Sequence, residues 1–259
     1  MGTLILFNLA LIAVITAMLV LIKKIAKSTS QQSLIFLIAP VITVAVHYST
    51  FIYRCFTGGD FYFYLGENIN LLLPIYPCNL VMWCALIYGL IPNKNTKLAL
   101  VISDYVFWFG IASTLVGMFA NVDFIMNPTL SDYEVTKSIV AHATLLFNLL
   151  LIPVFGRLRP SFFRNMFSIT SSVAVMFLVG LYCNALLSVL VSPQVAYEIN
   201  SMFIIHSPFE AVPFLRYPLI AAVALVIYFI IFTVCDIITT PRGSRWYNRI
   251  RSMFSFRKK

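Results

Sequence analysis

Charged residues are scarce in this chain of 259 residues, where Asp, Glu, Lys and Arg together make up 10% and hydrophobic residues 61%. A soluble domain is about a quarter charged and close to half apolar. The net charge of +9 does not indicate nucleic-acid binding, because the basic residues follow a membrane topology. The composition therefore predicts an all-α, polytopic membrane protein without an extramembrane domain of any size.

Metal-binding cysteine patterns are also lacking. The five cysteines, which form no CxxC pair, are Cys55, Cys78, Cys84, Cys183 and Cys235. Four of them lie in or at the ends of apolar segments, where a structural disulfide is not expected. Free cysteine in such a place is usually a small buried hydrophobe, and this is our interpretation for Cys84, Cys183 and Cys235. We expect neither a metal nor a soluble cofactor.

Apolar runs of membrane-spanning length are present in number, and we count seven. They cover residues 3–22, 34–53, 71–91, 98–118, 138–155, 167–190 and 217–238. Each is near the length of a helix that crosses about 30 Å of hydrocarbon at about 1.5 Å per residue. Lysines follow the first run rather than precede it, so we expect an uncleaved helix and not a signal peptide.

The connections between these spans differ sharply in basic residues. Fifteen of the 18 Lys and Arg follow spans one, three, five and seven, and the other three connections hold only Arg54, Lys137 and Arg216. The positive-inside rule then predicts the N-terminus outside and the C-terminus inside. We expect one transmembrane domain over residues 1–240 and a basic cytoplasmic tail over 241–259. The tail mixes basic and aromatic residues, which favours either contact with anionic lipid headgroups or a simple orientation signal.

The third span opens on LPIYPCNL, which carries Pro74 and Pro77 directly before Cys78. Each proline removes a helical hydrogen bond and clashes with the preceding turn. If the span is broken here, Cys78 lies at the N-terminus of the inner half-helix. Helix N-termini favour a thiolate, which is the nucleophilic form of cysteine.

Polar residues from four spans share one predicted depth. Counting inward from the outer ends of the spans places Cys78, His142, His47 and Asn184 roughly 6–10 Å below the outer face. Polar groups inside a bundle tend to face its interior and to mark function. A histidine near Cys78 could serve as base or general acid. The alternative is packing alone, and for His47 a hydrogen bond between helices is the favoured interpretation.

Five segments together resemble the YwaF-like, transmembrane protein 164 family of integral membrane proteins over roughly residues 65–240. The segments are LLLPIYPCNL, YVFWFGIASTLVGMF with the following Asn127–Pro128 pair, AHATLLFNLLLIP, NSMFIIHSP and VPFLRYPLI. Eukaryotic members of that family are described as phospholipid acyltransferases with a cysteine nucleophile and a histidine. The resemblance assigns these roles to Cys78 and His142 and matches the family asparagine to Asn200.

Two positions depart from the family pattern. Tyr76 stands where the family has a histidine two residues before the cysteine, and Pro77 replaces a leucine. Tyrosine is a poor base at neutral pH because its ordinary pKa is about 10. Either His142 or His47 must then activate the thiol, or the chain has lost activity.

The first functional expectation is an acyl-transfer enzyme of the bilayer. Cys78 would attack an acyl ester of a phospholipid reached from the outer leaflet, and His142 would manage the proton. Oxyanion donors would come from Asn184, Asn200 or Tyr76. The acyl group would pass to a lyso-lipid or to water. Acyl-CoA is a poor fit because the predicted site faces away from the cytoplasm.

Two other classes stay open. A helical bundle with a broken helix can bind or move a small solute, although no inverted repeat is present and, apart from Asp104, no acid lies well inside a span. A non-catalytic membrane scaffold would need neither Cys78 nor His142. In every case we expect an integral membrane protein, placed in a bacterial cell membrane.

Overall fold

The computed structural model describes residues 2–58, 69–119, 129–158, 160–207, 212–214 and 216–255, so the Asn127–Pro128 pair lies outside the described residues. Within this part the regular secondary structure is helical and no strand occurs, which confirms the all-α prediction. The helices are α1 (Gly2–Ile25), α2 (Thr29–Thr57), α3 (Pro77–Leu90), α4 (Lys97–Phe119), α5 (Tyr133–Val154), α6 (Phe162–Leu190), α7 (Pro193–Ile199), α8 (Leu219–Thr239) and α9 (Trp246–Ser255). Short 3-10 turns lie at Ile69–Leu71, Ser201–Phe203 and Arg242–Ser244.

Six of the described helices, α1, α2, α4, α5, α6 and α8, are long and apolar enough to cross a membrane. They correspond to six of the seven predicted spans. The predicted third span, residues 71–91, is helical only over the 14 residues of α3. At about 1.5 Å per residue α3 covers roughly 21 Å, which is short of the bilayer core. The helix starts at Pro77, as a break at Pro74–Pro77 requires.

Local sequence signals explain where the neighbouring helices begin and end. Ser28 starts α2 with a capping box, in which its hydroxyl accepts the Gln31 N–H and the Gln31 side chain accepts the Ser28 N–H. Gly58 ends the same helix in the left-handed region with φ 71°. Asp132 caps α5 by accepting the N–H groups of the first turn.

The centre of the bundle is a ring in which α2, α3, α4 and α5 each pack against the next. A close crossing between α2 and α3 depends on Gly89, because a Cβ atom there would lie 2.4 Å from the Phe36 carbonyl oxygen. Gly110 on α4 lies between Val81 on α3 and Leu149 on α5, so these three residues mark one level of the ring.

The two ends of the bundle carry different residues. The cysteine end is the end where α3 and α5 begin and α2 and α4 finish; Cys78 lies there. The tail end is the opposite end, where α8 finishes and α9 begins. Which end faces outward is still a prediction from charge.

The other long helices surround the ring and expose apolar side chains, as a lipid-facing surface requires. Their contacts with the ring include a few polar ties. Asn8 on α1 donates its side-chain N–H to the Met118 carbonyl on α4 at 2.6 Å. Tyr228 on α8 donates its hydroxyl to the Phe109 carbonyl at 3.0 Å.

Lys94, which the sequence counts as a loop charge, is buried at the C-terminal end of α3 with 4% of its surface exposed. Its ammonium donates to the carbonyl groups of Tyr88, Gly89 and Ile91. These are the carbonyls that a helix C-terminus leaves without intrahelical partners. A short helix inside a membrane protein depends on such a cap because water is not at hand to replace it.

We expect Lys94→Met to lower the free energy of unfolding by about 1–3 kcal/mol, since it strips three buried carbonyls of a charged donor. Thermal unfolding in detergent micelles measures the change. Lys97→Met is the control, because Lys97 lies nearby and is exposed. Equal unfolding temperatures for the two variants would contradict the capping role.

Candidate active site

Cys78 occupies the first turn of α3, directly after Pro77, and Tyr76 is the residue that precedes the helix. The Asn79 side chain accepts the Tyr76 N–H at 3.3 Å, which stabilises the helix start. The Asn79 N–H donates to the Tyr76 carbonyl at 3.0 Å, which closes the first turn of the helix. The structure thus gives the thiol the surroundings of a helix N-terminus, where a negative charge is stabilised.

A tight segment, Asn200–His206, lies beside this helix start, and we call it the elbow. Asn200, Met202 and Phe203 have φ of 47°, 55° and 57°. Residues with a Cβ atom rarely adopt this left-handed conformation, which costs of order 1–3 kcal/mol at each restrained position. The Tyr76 ring is next to the Phe203 ring, with 6.1 Å between ring centroids.

The amide of Asn200 holds the elbow from inside. Its oxygen accepts the N–H groups of Ile205 at 2.9 Å and His206 at 3.4 Å, and its nitrogen donates to the His206 carbonyl at 2.9 Å. Asn184 on α6 holds the elbow from outside, since its oxygen accepts the Ser201 N–H and its nitrogen donates to the Ser201 carbonyl. The sequence predicts both amides as oxyanion donors. In the structure both are instead hydrogen-bonded to the backbone of the elbow.

His142 lies on α5 at the same end of the bundle. Its Nδ1 is 2.7 Å from the Ser138 carbonyl, so Nδ1 carries the hydrogen and donates it. The ring packs directly on Gly117 of α4, where an added Cβ atom would lie 2.1 Å from Nε2. No described residue hydrogen-bonds Nε2. This arrangement fixes the ring and leaves Nε2 as the nitrogen able to accept a proton.

The separation of Cys78 and His142 along the bundle follows from the level marked by Val81, Gly110 and Leu149. Cys78 precedes Val81 by three residues, and His142 precedes Leu149 by seven. Both residues therefore lie toward the cysteine end, and their positions along the bundle differ by roughly 6 Å of helical rise. Both residues are described, and no hydrogen bond joins the Cys78 thiol to either His142 or His47. The structure brings the thiol and the imidazole to one end without direct contact.

His47 supports the segment that precedes α3. Its Nε2 lies 3.3 Å from the Asn70 carbonyl, and the neighbouring Tyr48 hydroxyl donates to the Leu71 carbonyl at 2.6 Å. Both carbonyls belong to the 3-10 turn Ile69–Leu71. The sequence favours a hydrogen bond between long helices for His47, whereas its partner in the structure is the backbone of this turn.

Sequence counting missed a buried ion pair at this end. Lys137, assigned to a loop, lies within α5 and donates to the Glu134 carboxylate at 2.6 Å and to the Thr50 hydroxyl at 2.7 Å. The Lys137 side chain is only 7% exposed. The available signal was the Glu–Lys spacing of three residues, which places both side chains on one face of a helix.

Searches of curated proteins and of solved structures gave no significant match. The sequence pattern of one family matches residues 2–236, which is most of the chain. The chain belongs to the TMEM164 family of integral membrane proteins.

Proposed function

We propose that this protein is a membrane-embedded acyl-transfer enzyme that acts on phospholipids with Cys78 as its nucleophile. One observation carries the proposal. Cys78 lies in the first turn of a helix that begins, at Pro77, within a membrane-length apolar segment. A cysteine placed only for packing would not need a helix break directly before it.

In the first half of the reaction the thiol passes its proton to Nε2 of His142. The thiolate then adds to the acyl ester carbonyl of the phospholipid. The Cys78 N–H makes no hydrogen bond to another described residue and is available to the developing oxyanion. The ester C–O bond breaks, and the lyso-lipid oxygen takes the proton from His142. The two residues are offset by roughly 6 Å of helical rise and are not hydrogen-bonded to each other, so the proton transfer requires the ester or a bridging water between them.

In the second half a hydroxyl group of another lyso-lipid, or water, attacks the Cys78 thioester. His142 accepts the proton of the attacking hydroxyl, and the thiolate leaves and is reprotonated. A lyso-lipid acceptor makes the enzyme a transferase, and water makes it a lipid hydrolase. The site residues are within the bundle, so membrane phospholipid is the natural donor, reached from the outer leaflet of a bacterial cell membrane in the predicted orientation.

The tail end supplies a second lipid contact in this proposal. Trp246, the first residue of α9, stacks on Phe162 with ring centroids 5.3 Å apart, which fixes α9 against the bundle. Arg249 and Arg251 on α9 are exposed. Each basic residue at a membrane surface adds about 1 kcal/mol of attraction to anionic lipid headgroups. We assign α9 to the cytoplasmic headgroup layer.

Solute binding or transport is the second candidate, because the broken start of α3 is also a device of transporters. The two candidates differ in their need for a thiol. A transporter tolerates the loss of sulfur at Cys78, whereas covalent acyl transfer does not.

Intact-protein mass spectrometry tests the proposal directly. Purified protein is incubated with phospholipids of defined acyl chains, and the lipids are analysed for lyso products. We expect a mass increase of one acyl group on the protein together with lyso-lipid. Absence of both across the common phospholipid headgroups would refute acyl transfer.

A further inference from the structure

The elbow makes a direct connection to the segment that carries Cys78. The Ile75 carbonyl, three residues before Cys78, accepts the Met202 N–H at 2.9 Å and the Ser201 hydroxyl at 3.2 Å. Between the 3-10 turn Ile69–Leu71 and the start of α3 at Pro77 the chain is not helical. These two hydrogen bonds therefore tie the start of α3 to the elbow.

Ser201 is in turn fixed to α6 on its other sides. It is fully buried. Its N–H and carbonyl are both paired with the Asn184 amide. Beneath it lies Gly180, where a Cβ atom would come within 3.0 Å of the Ser201 carbonyl oxygen and 2.9 Å of the Met202 Cβ. The elbow has no free space in which to shift toward α6.

This arrangement explains the unusual backbone of the elbow. Met202 and Phe203 hold left-handed conformations without glycine, and strained backbone persists only where surrounding contacts over-determine it. The contacts that do so here are the Asn184 and Asn200 amides and the fit against Gly180. In this conformation the Ser201 hydroxyl and the Met202 N–H both face the Ile75 carbonyl.

We propose that Ser201 is a positioning residue for Cys78. Its hydroxyl holds the Ile75 carbonyl and so sets the direction of the Cys78 thiol and N–H at the helix start. Ser201 touches neither substrate nor thiolate of Cys78 in this role. The catalytic consequence rests on the proposed function, whereas the effect on the reactivity of the thiol does not.

The test follows alkylation of Cys78 by iodoacetamide in the full-length protein, with peptide mass spectrometry to report that residue alone. We expect Ser201→Ala to slow alkylation about tenfold, the effect of one lost hydrogen bond, and to move the pH midpoint of the reaction upward. Lipid turnover should fall through kcat with KM unchanged.

Ser172→Ala is the matched control, because Ser172 is a fully buried serine of α6 whose hydroxyl donates within its own helix, to the Ser168 carbonyl. Its alkylation rate should equal that of the wild type. If Ser201→Ala does not fold, Gly180→Ala displaces the elbow by another route and should slow alkylation in the same way.

The outcomes separate the two proposals. Slower alkylation in Ser201→Ala or Gly180→Ala, in a protein without lipid turnover, supports the positioning role and counts against acyl transfer. If a folded Ser201→Ala or Gly180→Ala variant keeps the wild-type alkylation rate and pH profile, the positioning role is overturned, whether or not lipid turnover is present. A slow rate in Ser172→Ala as well would also overturn it, because the effect would then be general to α6.

Discussion

Replacing Cys78 with serine is expected to abolish the acyl adduct and to lower lipid turnover by at least about 10³-fold, as for other covalent nucleophiles. A serine hydroxyl has nearly the same shape but does not ionise at a helix N-terminus under neutral conditions. The fold should be retained, because serine is tolerated in the first turn of a helix. Intact mass and lyso-lipid analysis measure the two effects on the same sample.

Cys84→Ser is the matched control for that experiment. Cys84 lies six residues further along α3, is half-buried like Cys78 and is well past the helix start. We expect Cys84→Ser to keep wild-type turnover and the adduct. If Cys78→Ser keeps more than about a tenth of the wild-type turnover, far above the loss known for nucleophiles, Cys78 is not the nucleophile. Retained binding or movement of a solute in that variant would favour the transport function instead.

The start of α3 could be predicted because its cause is local. A proline disrupts the helical turn that precedes it, so a helix readily begins at a proline but does not readily continue through one. Pro77 occupies the first helical position, where proline is favoured. The end of the bundle at which Cys78 and His142 lie together could be predicted for a similar reason, since the rise per residue of a helix is constant.

The direction of each side chain around its helix could not be predicted in this way. Asn184 and Asn200 have the expected chemistry for oxyanion donors, but their amides are bonded to the elbow. Those partners come from packing between segments distant in sequence. The elbow itself left no local signal, because Met202 and Phe203 hold conformations that usually call for glycine.

Charge counting likewise could not separate surface lysines from buried ones. Lys94 and Lys137 both contribute to the predicted topology as loop charges, yet each is buried and bonded to specific partners. Long aliphatic stems allow lysine to lie along apolar surface while its ammonium reaches a distant acceptor. Only the folded chain shows which acceptors are within reach.

Gly117 gives an independent test of His142 that leaves the imidazole chemically intact. We expect His142→Ala to lower kcat by about 10²–10⁴-fold, the usual contribution of a positioned acid or base. Gly117→Ala should lower it in the same direction by about 10²-fold, because the new Cβ atom would lie 2.1 Å from Nε2 and the ring must move. Steady-state lipid turnover at several phospholipid concentrations separates kcat from KM.

Gly110→Ala distinguishes displacement of His142 from general damage to α4. A Cβ atom at Gly110 is also crowded, at 2.7 Å from a Leu149 methyl, but it meets flexible side-chain ends and no histidine. We expect Gly110→Ala to keep kcat within a few-fold, in line with modest overpacking. Wild-type kcat in both Gly117→Ala and His142→Ala would exclude His142 as the proton carrier. The assignment would then pass to His47, whose ring already holds the turn that leads to Cys78.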